Sequence, residues 1–310
     1  MGDRRAVARL PPPAPAAGHR RLPEARAEVR RHHAHLSPPA GFGANLARRV
    51  ATAAVALPLL LAAFFLGPPL LGAGIAAAAV IIGLWEFFAL MRARGLVPFR
   101  ATGVVLLAAV FVEVGRPVAP ASLWPAVALL TLVSLLARGA DFAATVPSAA
   151  LTLLGAAYLG AMGGAIAALR LLDPEPAGAW RLVLLLAIVM ASDTAAFFVG
   201  TAAGRRRLAP DISPGKTVEG AAGGLAGGVA GAAVVRVLGL PSLPLAHALL
   251  LGLAVAALGI AGDLLESLLK RWAGVKDSGV LFPGHGGMLD RLDSLLFGAP
   301  VLYYYFSLLR

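Results

Sequence analysis

Residues 270–294 read KRWAGVKDSGVLFPGHGGMLDRLDS, inside a chain whose flanking segments are mostly Leu, Ala, Val and Gly. Lys270, Arg271 and Lys276 precede three glycines, 284, 286 and 287. His285 sits between two of them, and Asp277, Asp290, Arg291 and Asp293 complete the charged set. Flexible glycines let backbone N–H groups approach an anion, and lysines neutralise it. Just upstream, in GIAGDLLESLLKRW, Asp263, Ser267 and Lys270 are spaced i, i+4, i+7, so a helix presents them on one face. Carboxylate and hydroxyl oxygens one turn apart suit a hard cation, and Lys270 one turn further reaches a phosphate or a neighbouring carboxylate. Asp290 and Asp293 are spaced i, i+3 at the start of the last apolar run. A histidine beside glycine and acids at helix ends are also ordinary loop and cap features. Their density here favours a metal–phosphate site over a solvated loop. A nucleophilic triad fits poorly, because no serine stands on a nucleophile elbow and the acids outnumber what a triad needs.

Two further clusters break the apolar pattern. ASDTAAFF puts Asp193 about two turns from the end of an apolar run. An acid inside a membrane helix costs at least ~2.5 kcal/mol, so its presence points to function ahead of an Asp–Arg packing pair. GRRRLAPDISPGKTVEG, residues 204–220, sets Ser213, Lys216 and Thr217 before a helix start, where an anion is favoured. It is not a P-loop, because Pro210 stands where the first glycine of that motif belongs. Thr217 and Glu219 also fit an N-cap and a first-turn acid.

The elements that position these residues follow from composition. The 310 residues are 59% hydrophobic and 14% charged, with mean hydropathy +0.81. Soluble domains carry roughly 25% charged residues, so the chain is expected to be an all-α, polytopic integral membrane protein. Cysteine is absent, which excludes disulfides and thiolate metal sites and leaves oxygen or histidine ligands. Nine spans are expected, at about 48–66, 69–91, 101–115, 119–137, 146–170, 180–200, 218–240, 244–269 and 291–309. The seventh, rich in Gly, is expected to be buried in the bundle, since small residues let membrane helices approach closely. Residues 1–46 hold eight Arg and four His among many Pro and Ala, and predict a disordered basic tail with no secretory signal. Residues 47–175 then form the N-terminal membrane helices, and 176–310 a catalytic membrane region with loops 201–217 and 270–290.

Charge orients this arrangement. With the tail in the cytoplasm, the loops on its side carry Arg92, Arg94, Arg100, Arg138, Arg205, Arg206, Arg207, Lys216, Lys270, Arg271 and Lys276. The opposite connections carry only Arg116, Arg170 and Arg181 near their edges, plus Arg310 at the end. This bias accounts for most of the formal charge of +11 without a nucleic-acid partner, and puts both long polar loops in the cytoplasm.

Ser267–Lys270–Arg271, then Lys276–Asp277, then LFPGHGGMLDRLDS together resemble the signature of the phosphatidate cytidylyltransferases. SDTAAFFVG and LAPDISPGKTVEG are similar to that family's upstream motifs. The resemblance covers roughly 180–310; Thr201 departs from it, standing where the family often has a basic residue. It implies transfer of a nucleotide from CTP to phosphatidate, giving CDP-diacylglycerol and pyrophosphate with Mg²⁺, with room for a second cation. It implies a metal site of Asp263, Ser267 and Asp290, with Asp263, Lys270 and Asp290 catalytic and Lys270 paired to Asp290. Ser213, Lys216, Thr217, Lys276, Asp277, His285, Gly286, Gly287, Arg291 and Asp193 are the expected substrate-binding residues. The expected partners are CTP, phosphatidate in the bilayer, the membrane itself and a second copy in a homodimer. The expected location is a bacterial cell membrane with the site facing the cytoplasm. Two alternatives stay open: a CTP-dependent kinase of polyprenol or phytol type, releasing CDP, and an ion-coupled transporter with Asp193 and Asp263 at mid-membrane.

Overall fold

A backbone in hydrocarbon must satisfy its own polar groups, and a helix does so within one segment. The computed structural model describes residues 42–115, 124–134, 142–172, 176–279 and 286–308, and nine helices occur among them. They are α1 (Phe42–Phe65), α2 (Pro69–Ala93), α3 (Arg100–Gly115), α4 (Trp124–Ser134), α5 (Phe142–Leu171), α6 (Ala177–Ala203), α7 (Val218–Gly239), α8 (Leu245–Ala273) and α9 (Leu289–Leu308). Two short antiparallel strands, β1 (Arg207–Ala209) and β2 (Ser213–Thr217), lie between α6 and α7. The chain divides between residues 51 and 52, and residues 52–310 form one compact unit. Most of the expected tail, residues 1–41, lies outside the described residues.

Among the described residues, five helices, α2 and α5–α8, are long and apolar enough to cross a membrane. α3 and α4 hold 16 and 11 residues, about 24 and 17 Å at 1.5 Å per residue, against a hydrocarbon thickness of about 30 Å. Hydropathy marks both as spans, and residues 116–123 and 135–141, which flank them, lie outside the described residues. The small hairpin was expected only as a loop. Its strands bring Arg207 opposite Thr217 and Ala209 opposite Ser213.

The seventh expected span is α7, and only one side of it is buried. Gly220, Gly224, Gly228 and Ala232 are buried, whereas Val234, Val237 and Leu238 are exposed. At Gly227 an added Cβ would run into the Ala191 carbonyl oxygen and the Ala195 methyl of α6, so the helices meet backbone to backbone. The Gly/Ala stripe seats α7 against α6 and α8, and the branched residues cover the remaining face.

The buried core joins α6–α9 through Leu184, Leu185, Ile188, Ala232, Val255 and Leu302, and joins α2, α3, α5 and α9 through Val80, Leu84, Phe88, Leu106, Leu159 and Leu296. α6 and α8 run into the segments 204–217 and 274–288, and α7 and α9 lead away from them. One end of the bundle therefore gathers both polar segments.

Candidate active site

α8 and α9 are antiparallel neighbours joined by the polar segment 274–288, and their register decides which acids meet. Ser294 Oγ donates to the Gly259 carbonyl at 3.1 Å, and Gly262 packs against Asp293 and Phe297. Asp263 is therefore level with Asp293. Asp290, one turn earlier on α9, reaches the end of α8, where Lys270 Nζ donates to its Oδ1 at 2.5 Å. Lys270 Nζ also lies 3.4 Å from Glu266 Oε1, one turn back on α8. The antiparallel register sets Asp263 level with Asp293, with Asp290 one turn nearer the polar segment.

The two acids also differ in how much of their capacity is used. Asp290 Oδ1 is held by Lys270, and Oδ2 accepts from Ser278 N at 3.1 Å, Ser278 Oγ at 2.8 Å and Gly287 N at 2.8 Å. Oδ1 thus ties α9 to the end of α8, and Oδ2 ties it to the polar segment. Asp263 Oδ2 pairs with Lys216 Nζ of β2 at 2.5 Å, and its side chain remains 35% exposed. Asp263 thus faces open space with one cationic partner, and Asp290 is a clamp.

Further acids surround Asp263. Asp193 of α6 lies within electrostatic reach of Asp263, Lys216 and Arg291. Asp293 lies within reach of Asp263, Asp193 and Glu266. Glu266 is only 4% exposed. Five carboxylates, Asp193, Asp263, Glu266, Asp290 and Asp293, form one electrostatically linked group with Lys216, Lys270 and Arg291 among them. Like charges repel strongly where water is scarce, so acids gathered this closely favour an added cation. The donors are all hard oxygens, which suits Mg²⁺. That ion commonly takes only one or two carboxylates and completes its shell with water and substrate phosphates. Among the described residues, no three of His, Asp and Glu are arranged as a ready-made metal cage.

The hairpin and the helix ends frame the acids. Thr217 is the N-cap of α7, its Oγ1 accepting from Gly220 N at 3.0 Å, and it is buried. Its expected phosphate contact thus competes with a capping role. Glu219 Oε2 accepts from Arg205 N at 3.0 Å and Arg206 N at 3.2 Å, which fixes the chain entering the hairpin. Arg271 Nε donates to the Ile212 carbonyl at 3.3 Å, docking the hairpin turn on the end of α8. Ser213 is half-buried on β2, and Ser267 is half-buried one turn beyond Asp263. α8 stops at Gly274, whose φ of 75° is the left-handed cap that glycine adopts without strain. Lys276 and Asp277 follow and are exposed. Gly286 also has positive φ, 77°, beside the Asp290 carboxylate. His285 lies outside the described residues.

Three acids of this region had no expected role. Asp293 was noted only for its spacing from Asp290, and Glu266 is hidden in an amphipathic stretch. Glu86 of α2 is the third. It accepts from Met288 N and Leu289 N at 2.9 and 2.8 Å, and is buried. The available signal was that Glu86 is the sole acid in the apolar run 69–91.

The sequence has clear relatives. Residues 47–309 match the Cytidylyltransferase family. A phosphatidate cytidylyltransferase of Synechocystis sp. is 35% identical over 291 residues, covering 84% of this chain and 97% of the relative. One from Haemophilus influenzae is 34% identical over 290 residues, 85% and 100% of the two chains. One from Pseudomonas aeruginosa is 38% identical over 263 residues, 83% and 95%. With a match from residue 47 to residue 309 and relatives aligned over nearly their whole length, the chain belongs to the cytidylyltransferase family.

Proposed function

We propose that the chain transfers the cytidylyl group of CTP to phosphatidate, forming CDP-diacylglycerol and pyrophosphate in phospholipid biosynthesis. One observation supports this most directly. The carboxylates gathered around Asp263 lie beside Lys216 and Lys270, at one end of an apolar helical bundle. That is the equipment for joining two anions at a membrane surface. The relatives named above carry the same activity in their names.

The chemistry needs little from a general base. The phosphate of phosphatidate is already anionic at neutral pH, and one of its oxygens attacks the α-phosphorus of CTP. A P–O bond forms there as the bond from the α-phosphorus to the α,β-bridging oxygen breaks, and pyrophosphate leaves with that electron pair. The obstacle is repulsion between the lipid phosphate and the triphosphate, so catalysis is alignment and charge neutralisation. Asp263, with Asp193 and Asp293 in reach, would hold Mg²⁺, and a second cation fits the remaining negative charge. When bound, Mg²⁺ supplies charge neutralisation at the phosphoryl oxygens. Lys216 is placed to exchange Asp263 for a phosphate, and Ser213 on the same strand adds a hydroxyl. Lys270 orients Asp290 and lends positive charge to the site. Lys276, Asp277, His285, Gly286 and Arg291 are assigned to the nucleotide. Asp290, with Gly287 N as one of its donors, holds the segment that presents them. Ser267 would complete the metal shell from α8. The Arg and Lys bias of the polar loops supports a site facing the cytoplasm, and the bacterial relatives support a cell membrane.

The test is the reaction itself. Protein purified in detergent, given phosphatidate and CTP labelled in its α-phosphate, is expected to yield labelled lipid and one pyrophosphate per turnover, and only with Mg²⁺. Release of labelled CDP, with an unlabelled phosphorylated lipid, would replace the proposal with a kinase. No CTP consumption at all would sink both.

A further inference from the structure

We infer that Glu86 is a positioning residue for the start of α9, which carries Gly287 and Arg291 of the proposed nucleotide site, acting from a helix about two hundred residues away in sequence; the inference rests on the function proposed above. Glu86 stands in α2, whose neighbours from Pro69 to Met91 carry no other acid, and its side chain is 9% exposed. A buried carboxylate in such a helix is retained only if its partners compensate for lost hydration. Here they do. Oε1 accepts from Met288 N at 2.9 Å, and Oε2 accepts from Leu289 N at 2.8 Å. These amides belong to the start of α9, where backbone donors have no partner within the helix. Glu86 therefore caps α9 from a different helix, with the charge sign that a helix N-terminus favours.

The same carboxylate also reaches Ser278. Ser278 Oγ lies 3.1 Å from Glu86 Oε2 and 2.8 Å from Asp290 Oδ2. Its single proton serves one of them at a time, while Ser278 N and Gly287 N hold Asp290 Oδ2 in place. Ser278 and Gly287 are thus pinned between two carboxylates, one from α2 and one from α9. The fit is close: a Cβ at Gly279 would lie 2.8 Å from Glu86 Cδ, and one at Gly287 would lie 2.6 Å from it. Glu86 therefore fixes Ser278 relative to the start of α9, and with it Gly287 and Arg291. Without that tether Gly287 and Arg291 would lose the geometry that the proposed nucleotide contacts need.

The test separates positioning from bulk stability. Glu86→Gln preserves volume, but both carboxylate oxygens accept backbone N–H groups, so in either orientation the new amide nitrogen opposes one of them. Steady-state kinetics with CTP and phosphatidate varied separately should show KM for CTP raised about 10- to 100-fold, with KM for phosphatidate unchanged. Amide hydrogen exchange at Met288 and Leu289 should become faster. Ser278→Ala, which keeps both backbone bonds to Glu86, should shift KM for CTP in the same direction by less, and serves if the Gln variant fails to fold. A Glu86→Gln enzyme with unchanged KM for CTP, reduced only in its active fraction, overturns the inference. So does unaltered exchange at Met288 and Leu289. If the wild-type protein makes no CTP-dependent product, the proposed function fails, and the exchange measurement alone decides whether Glu86 holds the start of α9.

Discussion

At one end of the bundle Arg170 is fully buried, and Arg181 nearly so. At the other end Asp193, Asp263, Glu266, Asp290 and Asp293 gather with Lys216, Lys270 and Arg291 among them. Arg170 donates to the carbonyls of Phe64 at 2.9 Å and Gly67 at 3.4 Å, where α1 turns into α2. Arg181 lies over the Phe306 ring, 4.4 Å from its centroid. There, charge is absorbed by carbonyl dipoles and an aromatic face, and the contacts connect helices. At the acid end, Asp290 is similarly engaged in holding structure, but Asp263 is 35% exposed and lies within reach of Asp193 and Asp293. Burial of charge alone does not mark a reaction site. What distinguishes the acid end is several acids gathered together, one of them accessible.

That contrast can be broken by substitution. Asp263→Ala carries the largest expected effect, a loss of CTP-dependent turnover of about 10³-fold. Metal charge stabilisation is worth several kcal/mol, and each ~1.4 kcal/mol is tenfold. The variant should still be recovered folded from the membrane, as read by its melting curve in detergent; full turnover would remove Asp263 from the proposed metal site. Arg170→Met should show the opposite profile. It deprives two carbonyls of a charged donor, for about 1–3 kcal/mol of stability, and should leave KM for CTP unchanged. A raised KM for CTP in that variant would show that the two ends are coupled, and the contrast would fail. Thr217→Ala sharpens the comparison within the acid end. Loss of the α7 cap is worth about 1 kcal/mol. If capping is the residue's whole role, stability falls by that amount while KM for CTP holds; a large rise in KM would instead restore the expected phosphate contact.

Much of the acid end was legible in the chain. The i, i+4, i+7 face of Asp263, Ser267 and Lys270 exists on α8, and the pair of Lys270 with Asp290 forms. Asp193 does come near Asp263. These succeed because helical periodicity converts spacing into a shared face. The facing of Asp263 by Asp293 was missed, because spacing within one helix says nothing about the register between two. Glu86 was passed over for a different reason: its partners lie 192–203 residues away, and its own neighbourhood is wholly apolar.

By itself the sequence determined that the chain is helical and membrane-embedded, that its polar loops gather Lys and Arg, and that acids, lysines and glycines crowd one C-terminal stretch. Composition and periodicity suffice for these, because water, hydrocarbon and the helical repeat act on each segment separately. Only the tertiary structure decided which acid is spent and which is open. Asp290 has both oxygens occupied and Asp263 does not, and a distant helix supplies the cap of α9. Those outcomes depend on the antiparallel register of α8 and α9 and on the packing of α2 against them. Both are set by the contacts of whole helices and are not encoded in any one stretch of sequence.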